Sequence, residues 1–549
     1  MIDTLFKNPK TRFTLVFQLT IIALAGFAVM RTILIIKTWP LIDNLFFEWV
    51  YIFGQGLIYD IAFIGYFYIP FVLLLLIPLL SWAFLNQSQH RFSDNNYVNE
   101  LASNGPYQLF AAFRNNTLDY RQFYATGNDT ELSRILKDQI QRAEPYPDKG
   151  IYNIARHIKG KAAPKKLNVM LISVESLSAK FLTRFGQEKN ITPFMDEFFT
   201  KGKLFTNFYA TGTRTTRGLE AITLSIPPTP GRSIVKRPDN SEMYSLGMVF
   251  KKMGYDTAFL YGGRGFFDNM NAFFLGNGYE IVHQPRLDEK EVTFANAWGV
   301  CDEDIYNRSI REARQAYDNN RSFFFHIMTT SNHQPFTFPE GKIDLEPGEG
   351  KTGSGRFGGV KYSDYALEQL IKKSSRQPWF DDTVFVVVAD HCAASAGKIG
   401  LPADKYHIPL FIYSPKHIKA EEIITLSSQI DLAPTLLSLL DISYESFFFG
   451  QDIMSPGFKG RALIANYQKL GLLKKHELIF LSPGKEINRV NLFFKNPLLE
   501  KITPDFPGVR ELMSYYQGAD YVSIHRLNRL YDMKKQFAGR SRPSRRKRI

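Results

Sequence analysis

The sequence predicts an α/β fold, a mostly parallel sheet covered by helices on both faces. Three observations lead there. From residue 167 onward, short apolar runs alternate with longer helix-like stretches, the one-dimensional trace of strands and crossover helices. Runs such as LNVMLISV and TVFVVVA are apolar along nearly their whole length, as strands buried on both faces are. Several runs stop abruptly at polar clusters, and an open α/β sheet gathers its functional groups where strands end.

In chain order, the strand-like runs are LNVMLISV, KLFTNFYA, DTAFLY, SFFFHIMTT, TVFVVVA and IPLFIYS. Between them NITPFMDEFFTKG, SEMYSLGMVFKKMG, CDEDIYNRSIREARQAYDNN and YSDYALEQLIKKSS read as helices, and SQIDLAPTLLSLLDI reads as one more helix packed on the sheet. GEGKTGSGRFGG reads as a flexible surface loop, because it lacks the framing of a P-loop.

Ahead of this region, residues 13–36 read FTLVFQLTIIALAGFAVMRTILII, long enough to span a bilayer, which takes about 20 apolar residues. Lys7, Lys10 and Arg12 precede the run and place the N-terminus in the cytoplasm. No small-residue cleavage pattern follows, so the segment reads as an anchor. Arg31, near its far end, is expected to snorkel to the interface. A second apolar region from Phe46 to Leu85 has two readings: two helices turning near Gly65, or an interfacial helix followed by one span. The first puts the rest of the chain outside the cytoplasm, the second returns it, and the scarcity of Lys and Arg after Leu85 favours the first. The expected organisation is an anchor of two or three helices over 1–85, a collar over 86–166, a catalytic domain over 167–530 and a basic tail over 531–549.

Composition bounds the rest. A chain of 549 residues exceeds one ordinary domain. The net charge of +14 is partly a property of the tail MKKQFAGRSRPSRRKRI, suited to anionic headgroups or to a solvated end, and no nucleic-acid-binding motif accompanies it. Two cysteines, Cys301 and Cys392, make neither a disulfide framework nor a zinc-type cluster.

Glu175 ends an apolar run, where a carboxylate is costly to bury unless it is paired or holds a metal. Asp390-His391 follow TVFVVVA, and Asp with neutral His suits Zn or Mn, while carboxylate oxygen also suits Mg. Thr215 and Thr216 stand between Arg214 and Arg217; a metal can activate a hydroxyl, and the arginines can hold phosphate oxygens. His333 and His407 sit at strand edges, placed to protonate a leaving oxygen or hold a phosphate. Trp298 can stack on a polyol face. Each residue also has an ordinary structural reading; their order along an α/β chain is what carries weight.

From about residue 167 to 455 the chain resembles the lipoteichoic acid synthase and phosphoglycerol transferase family, of the sulfatase-like, alkaline-phosphatase-type superfamily. The matching stretches are NVMLISVESLSAKF, TNFYATGTRTTRGLEA, FLYGGRGFFDNMNAFFLGNGY, WGVCDED, SNHQPF, VVVADH, YHIPLFIYSP and SQIDLAPTLLSLL. The resemblance implies an alkaline-phosphatase/sulfatase-like sheet and one divalent ion, Mn or Mg, held by Glu175, Thr216, Asp390 and His391. It implies Thr216 as nucleophile with Thr215 as the fallback, and a phosphoglycerol pocket lined by His333 and Trp298 with His407 close by; Arg217, flanking the threonines, is the substrate-binding candidate that the residues themselves add. It implies transfer of glycerophosphate from a phosphatidylglycerol-type lipid to a glycan or polymer hydroxyl, by a multi-pass protein of the bacterial cytoplasmic membrane whose catalytic domain lies outside. A hydrolase, a phosphoethanolamine transferase and a non-catalytic lipid binder are the alternatives. The C/S-x-P-x-R motif that sulfatases mature into formylglycine does not occur in the nucleophile stretch TGTRTTRGLE or at either cysteine, its one match being SRPSR in the basic tail, which argues against sulfate ester hydrolysis.

Overall fold

The structure, a computed structural model, describes residues 14–38, 45–84, 119–140, 144–145, 150–393, 400–492 and 498–529. The chain divides into two compact units, Met1–Asn115 and Asn116–Ile549. The basic tail and the first part of the expected collar, through residue 118, lie outside the described residues.

The first unit contains helices α1 (Thr14–Thr38) and α2 (Leu45–Phe84). Within them Phe17–Lys37 and Trp49–Ile69 are long and apolar enough to cross a membrane, and most of their side chains are not covered by protein. The expected break at Gly65 is not there: α2 runs unbroken through it for 40 residues, about 60 Å. Nor does an interfacial helix precede a separate span. The described residues thus hold two such helices. Arg31 does not snorkel; its guanidinium pairs with Asp60 at 2.7 Å. Gly56, one turn before Asp60, makes the room, since a Cβ there would lie 2.3 Å from the guanidinium. Pairing cancels two charges that are each expensive in hydrocarbon.

The second unit is built on a nine-stranded mixed sheet. Its strands are β1 (Asn168–Val174), β2 (Lys203–Tyr209), β3 (Asp256–Tyr261), β4 (Glu280–His283), β5 (Phe323–Met328), β6 (Thr383–Ala389), β7 (His407–Tyr413), β8 (Glu421–Ile423) and β9 (Ser427–Ser428). The spatial order is β8-β2-β7-β6-β1-β5-β3-β4, with β9 also beside β2. All seven residues of β1 are buried, and so are all seven of β6. Alternate residues of a strand face opposite ways, so both faces of the sheet are covered, as the unbroken apolar runs require. Only β7 opposes its neighbours, β2 and β6. A parallel return needs a crossover of a dozen or more residues, usually a helix. The described residues between β6 and β7 hold no α-helix, only a 3-10 turn at Ala403–Lys405.

The helices used below are α3 (Asp129–Ile140), α4 (Thr215–Leu224), α5 (Asp302–Asp318), α6 (Gly355–Ser374) and α7 (Val509–Ile524). Two expectations change here. The stretch GRFGG is not loop but the first turn of α6, and its Gly359 passes close to Asn332, where a Cβ would meet Oδ1 at 2.9 Å. The described collar residues are not separate from the catalytic unit either. Leu132, Leu136 and Ile140 of α3 are buried in the main core, and Gln517 of α7 donates to Asp129 at 2.6 Å.

A second sheet of five antiparallel strands spans Ala462–Ala465 to Leu499–Lys501. A buried bidentate pair fastens its entry to the main body: Arg461 donates to both carboxylate oxygens of Asp431 at 2.5 and 2.9 Å, and neither residue is exposed. Arg461→Ala leaves the Asp431 charge buried and unpaired, and is expected to cost about 3–5 kcal/mol. Urea denaturation of the purified protein checks this.

Candidate metal centre and nucleophile

The centre forms at the C-terminal ends of neighbouring central strands. β1 delivers Glu175, β6 delivers Asp390 and His391, and β5 delivers Thr329 and Thr330. Ligand atoms of Glu175, Asp390 and His391 lie within 4.8 Å of one another. Their surroundings fix them. Glu175 N–H donates to Thr329 Oγ1 at 3.0 Å, and its carbonyl accepts from Asn332 Nδ2 at 2.9 Å. Asp390 Oδ1 accepts from the backbone N–H of Ser176 at 2.8 Å and of His391 at 2.7 Å. Ser176 holds this geometry at φ 54°, a left-handed conformation uncommon outside glycine.

The electrostatics ask for a cation. Asp390 Oδ2 is buried and has no hydrogen-bond partner. Burial, and next the charge of Glu175, push the Asp390 carboxyl up to about 7. His391 Nδ1 donates to the Cys392 carbonyl at 2.8 Å, which leaves Nε2 as the free lone pair. That Nε2 stands 3.5 Å from Asp390 Oδ2 and 3.7 Å from Glu175 Oε1. Burial opposes protonation of His391, but the two carboxylates outweigh it and raise its pKa. Two carboxylates, one imidazole and an orphaned buried oxygen fit a divalent ion.

Thr215, and not Thr216, faces this cluster. Thr215 is the first residue of α4, and its hydroxyl donates to Glu175 Oε2 at 3.3 Å. One residue further along a helix is a turn of about 100°, and Thr216 is buried. Gly218 sets the approach: a Cβ there would lie 2.1 Å from the Asp390 carbonyl oxygen. Gly218→Ala is therefore expected to push α4 off the strand ends and cost about 1–3 kcal/mol. A thermal melt measured beside a turnover assay reads both consequences.

Arg217 does not reach the cluster. It is buried in an ion pair with Glu220 at 2.6 Å and donates to the Gly231 carbonyl at 2.5 Å, so it is a structural cation of α4. Arg214 is exposed and makes no side-chain hydrogen bond or ion pair among the described residues. His407 lies on the correct edge, since antiparallel β7 starts where β6 ends. Its Nε2 is nevertheless spent on the Thr206 carbonyl at 2.8 Å, and its ring packs against Tyr209 and Phe185.

Trp298 and His333 do come together, with ring centroids 3.5 Å apart, over a cavity of about 30 Å³. Glu175, Thr215, Tyr261, Phe267 and Thr329 also line it. Gly299 and Gly263 make the backbone pairing that carries Trp298; a Cβ on Gly299 would lie 2.2 Å from the Gly262 oxygen. The turn bearing His333 hangs on Asp302 at the start of α5. The Asp302 carboxylate accepts the N–H groups of Thr330 and Ser331 at 3.1 and 2.9 Å and the Ser363 hydroxyl at 2.9 Å. Ser176, Thr329, Asn332 and Asp302 were not singled out in the sequence. All four stand inside its quoted stretches, yet nothing in one dimension separates them from their neighbours.

A buried, mostly parallel sheet with a carboxylate–carboxylate–imidazole cluster and a helix-borne hydroxyl at its strand ends defines the alkaline-phosphatase class of fold. Residues 167–442 match the sulfatase family. The chain belongs to that family. An alkaline phosphatase superfamily protein from Vibrio parahaemolyticus is 31% identical and superposes with a TM-score of 0.69 over 75% of this chain and 100% of that one. The lipoteichoic acid synthase LtaP from Listeria monocytogenes shares the fold at 19% identity and a TM-score of 0.57, over 73% of this chain and 98% of that one. Lipoteichoic acid synthase 2 of Bacillus subtilis (strain 168) is 23% identical over 388 residues, 66% of this chain and 57% of that protein, so this chain spans under two thirds of the relative's length.

Proposed function

We propose that this protein is a membrane-anchored, metal-dependent phosphoglycerol transferase with Thr215 as its nucleophile. The observation that carries the reading is the Thr215 hydroxyl directed at Glu175 within the carboxylate–imidazole cluster. Glu175, Asp390 and His391 would hold the ion, and Thr215 Oγ1 stands beside them. Bound there, Mn or Mg would polarise a phosphoryl oxygen and lower the pKa of a neighbouring hydroxyl.

Thr215 Oγ1 attacks the phosphorus of a phosphatidylglycerol-type donor as its proton leaves toward Glu175 Oε2. The bond from phosphorus to the diacylglycerol oxygen breaks, and a glycerophosphoryl-threonine remains. His333 donates Nδ1–H to the Gln334 carbonyl at 3.1 Å, and as an imidazolium it would protonate the departing oxygen through Nε2. An acceptor hydroxyl, of a glycan or a glycerophosphate polymer, then displaces Thr215 and regenerates the free hydroxyl, giving ping-pong kinetics. The enclosed volume holds one or two waters, less than a glycerophosphate headgroup occupies. The two apolar helices anchor the chain where such a donor resides.

Incubation with headgroup-labelled phosphatidylglycerol, with and without acceptor, tests this. Label moving onto the acceptor as diacylglycerol is released is the expected result. Diacylglycerol release with label recovered only as free glycerol phosphate would assign a hydrolase instead.

A further inference from the structure

The loop after β3 carries Arg264, Phe266 and Phe267 to the surface beside the cavity mouth. Phe266 is 78% exposed and Phe267 is 52% exposed. Local collapse cannot hide them, because the loop is pinned on both sides. Gly265 N–H donates to His283 Nδ1 at 3.1 Å, Asn271 N–H returns to the Gly265 carbonyl at 2.7 Å, and Lys236 pairs with Asp268 at 2.5 Å. Phe267 also lines the cavity and meets Trp298 edge-on at 5.7 Å, so the exposed rings are continuous with the site. Arg264 is exposed and has no ion pair or side-chain hydrogen bond among the described residues, and the same holds for Arg214 beside the nucleophile.

We propose that this loop docks the mouth of the site on an anionic bilayer surface, with Phe266 and Phe267 entering the headgroup region and Arg264 pairing with lipid phosphates. The inference rests on the reading of the site as acting on a lipid-borne phosphodiester. Three observations choose this occupant. Rigid exposed aromatics suit the membrane–water interface, where rings settle at headgroup level. The unpaired arginines match a negative leaflet. The chain's own two apolar helices hold such a surface at high effective concentration.

The test uses the full chain reconstituted in vesicles of phosphatidylcholine and phosphatidylglycerol whose acyl chains are brominated near the headgroup. F266W is expected to add a fluorescence component that bromine quenches, relative to the parent protein. L498W, at an equally exposed position just before the last strand of the second sheet, is expected to add an unquenched one. Quenching of both, or of neither, overturns the docking surface. This readout needs no turnover, so it separates failure of docking from failure of the transferase reading. In mixed micelles Arg264→Gln is expected to raise the half-saturating surface fraction of phosphatidylglycerol about fivefold. A water-soluble short-chain donor should be used by the same variant as by the parent. An equal defect on both donors would mean that Arg264 serves the pocket and not the surface.

Discussion

Thr215→Ala is expected to abolish turnover, with a loss of about five to six orders of magnitude, the scale seen when a covalent nucleophile is removed. Thr216→Ala is expected to retain it. The two residues are neighbours in sequence but not in chemistry. Thr215 presents its oxygen to Glu175 from the first position of α4, while Thr216 is buried. Loss of a buried threonine methyl and hydroxyl should appear as a stability change of about 1 kcal/mol. Rates for both variants, with melting temperatures measured on the same preparations, separate the roles. Retained activity in Thr215→Ala would remove it from the mechanism.

Asp390→Asn is expected to lower turnover about a thousandfold or more, since it removes a charge from the cation site while preserving the shape. The substitution keeps an acceptor for the N–H groups of Ser176 and His391 and places an amide where the unpartnered Oδ2 now lies. The sign of the stability change is a second readout. In metal-free buffer the variant should be at least as stable as the parent, because it no longer buries a carboxylate beside Glu175. Adding Mn or Mg should raise the melting temperature of the parent and leave that of Asp390→Asn unmoved, since an ion bound only by the folded state stabilises it by mass action. Dialysis against a chelator should reproduce the parent's loss of activity, and restored ion should reverse it.

The parts of this molecule legible in its sequence are those set by burial. Strands covered on both faces must be apolar throughout, so β1 and β6 stand out as unbroken runs, and a polar residue ending each run marks the edge where Glu175, Asp390 and His391 meet. What stayed hidden depends on angles. Whether Thr215 or Thr216 faces the cluster depends on where α4 begins, and Gly218 sets that register by contact with the backbone of Asp390, far away in sequence. Arg217 resembled a phosphate ligand because its i,i+3 partner Glu220 matters only once the helix exists. His407 was placed at the correct sheet edge, but the Thr206 carbonyl that captures its ring belongs to a strand two hundred residues earlier. The apolar length of α2 was plain, yet composition alone does not say whether 40 such residues bend.

The most direct measurement is mass spectrometry of the protein after exposure to phosphatidylglycerol without acceptor, with fragmentation that resolves adjacent threonines. A glycerophosphoryl group on Thr215, absent from Thr215→Ala and present in Thr216→Ala, is the predicted result. The same adduct on Thr216, or steady turnover with Thr215 never modified, would contradict the assignment of the nucleophile.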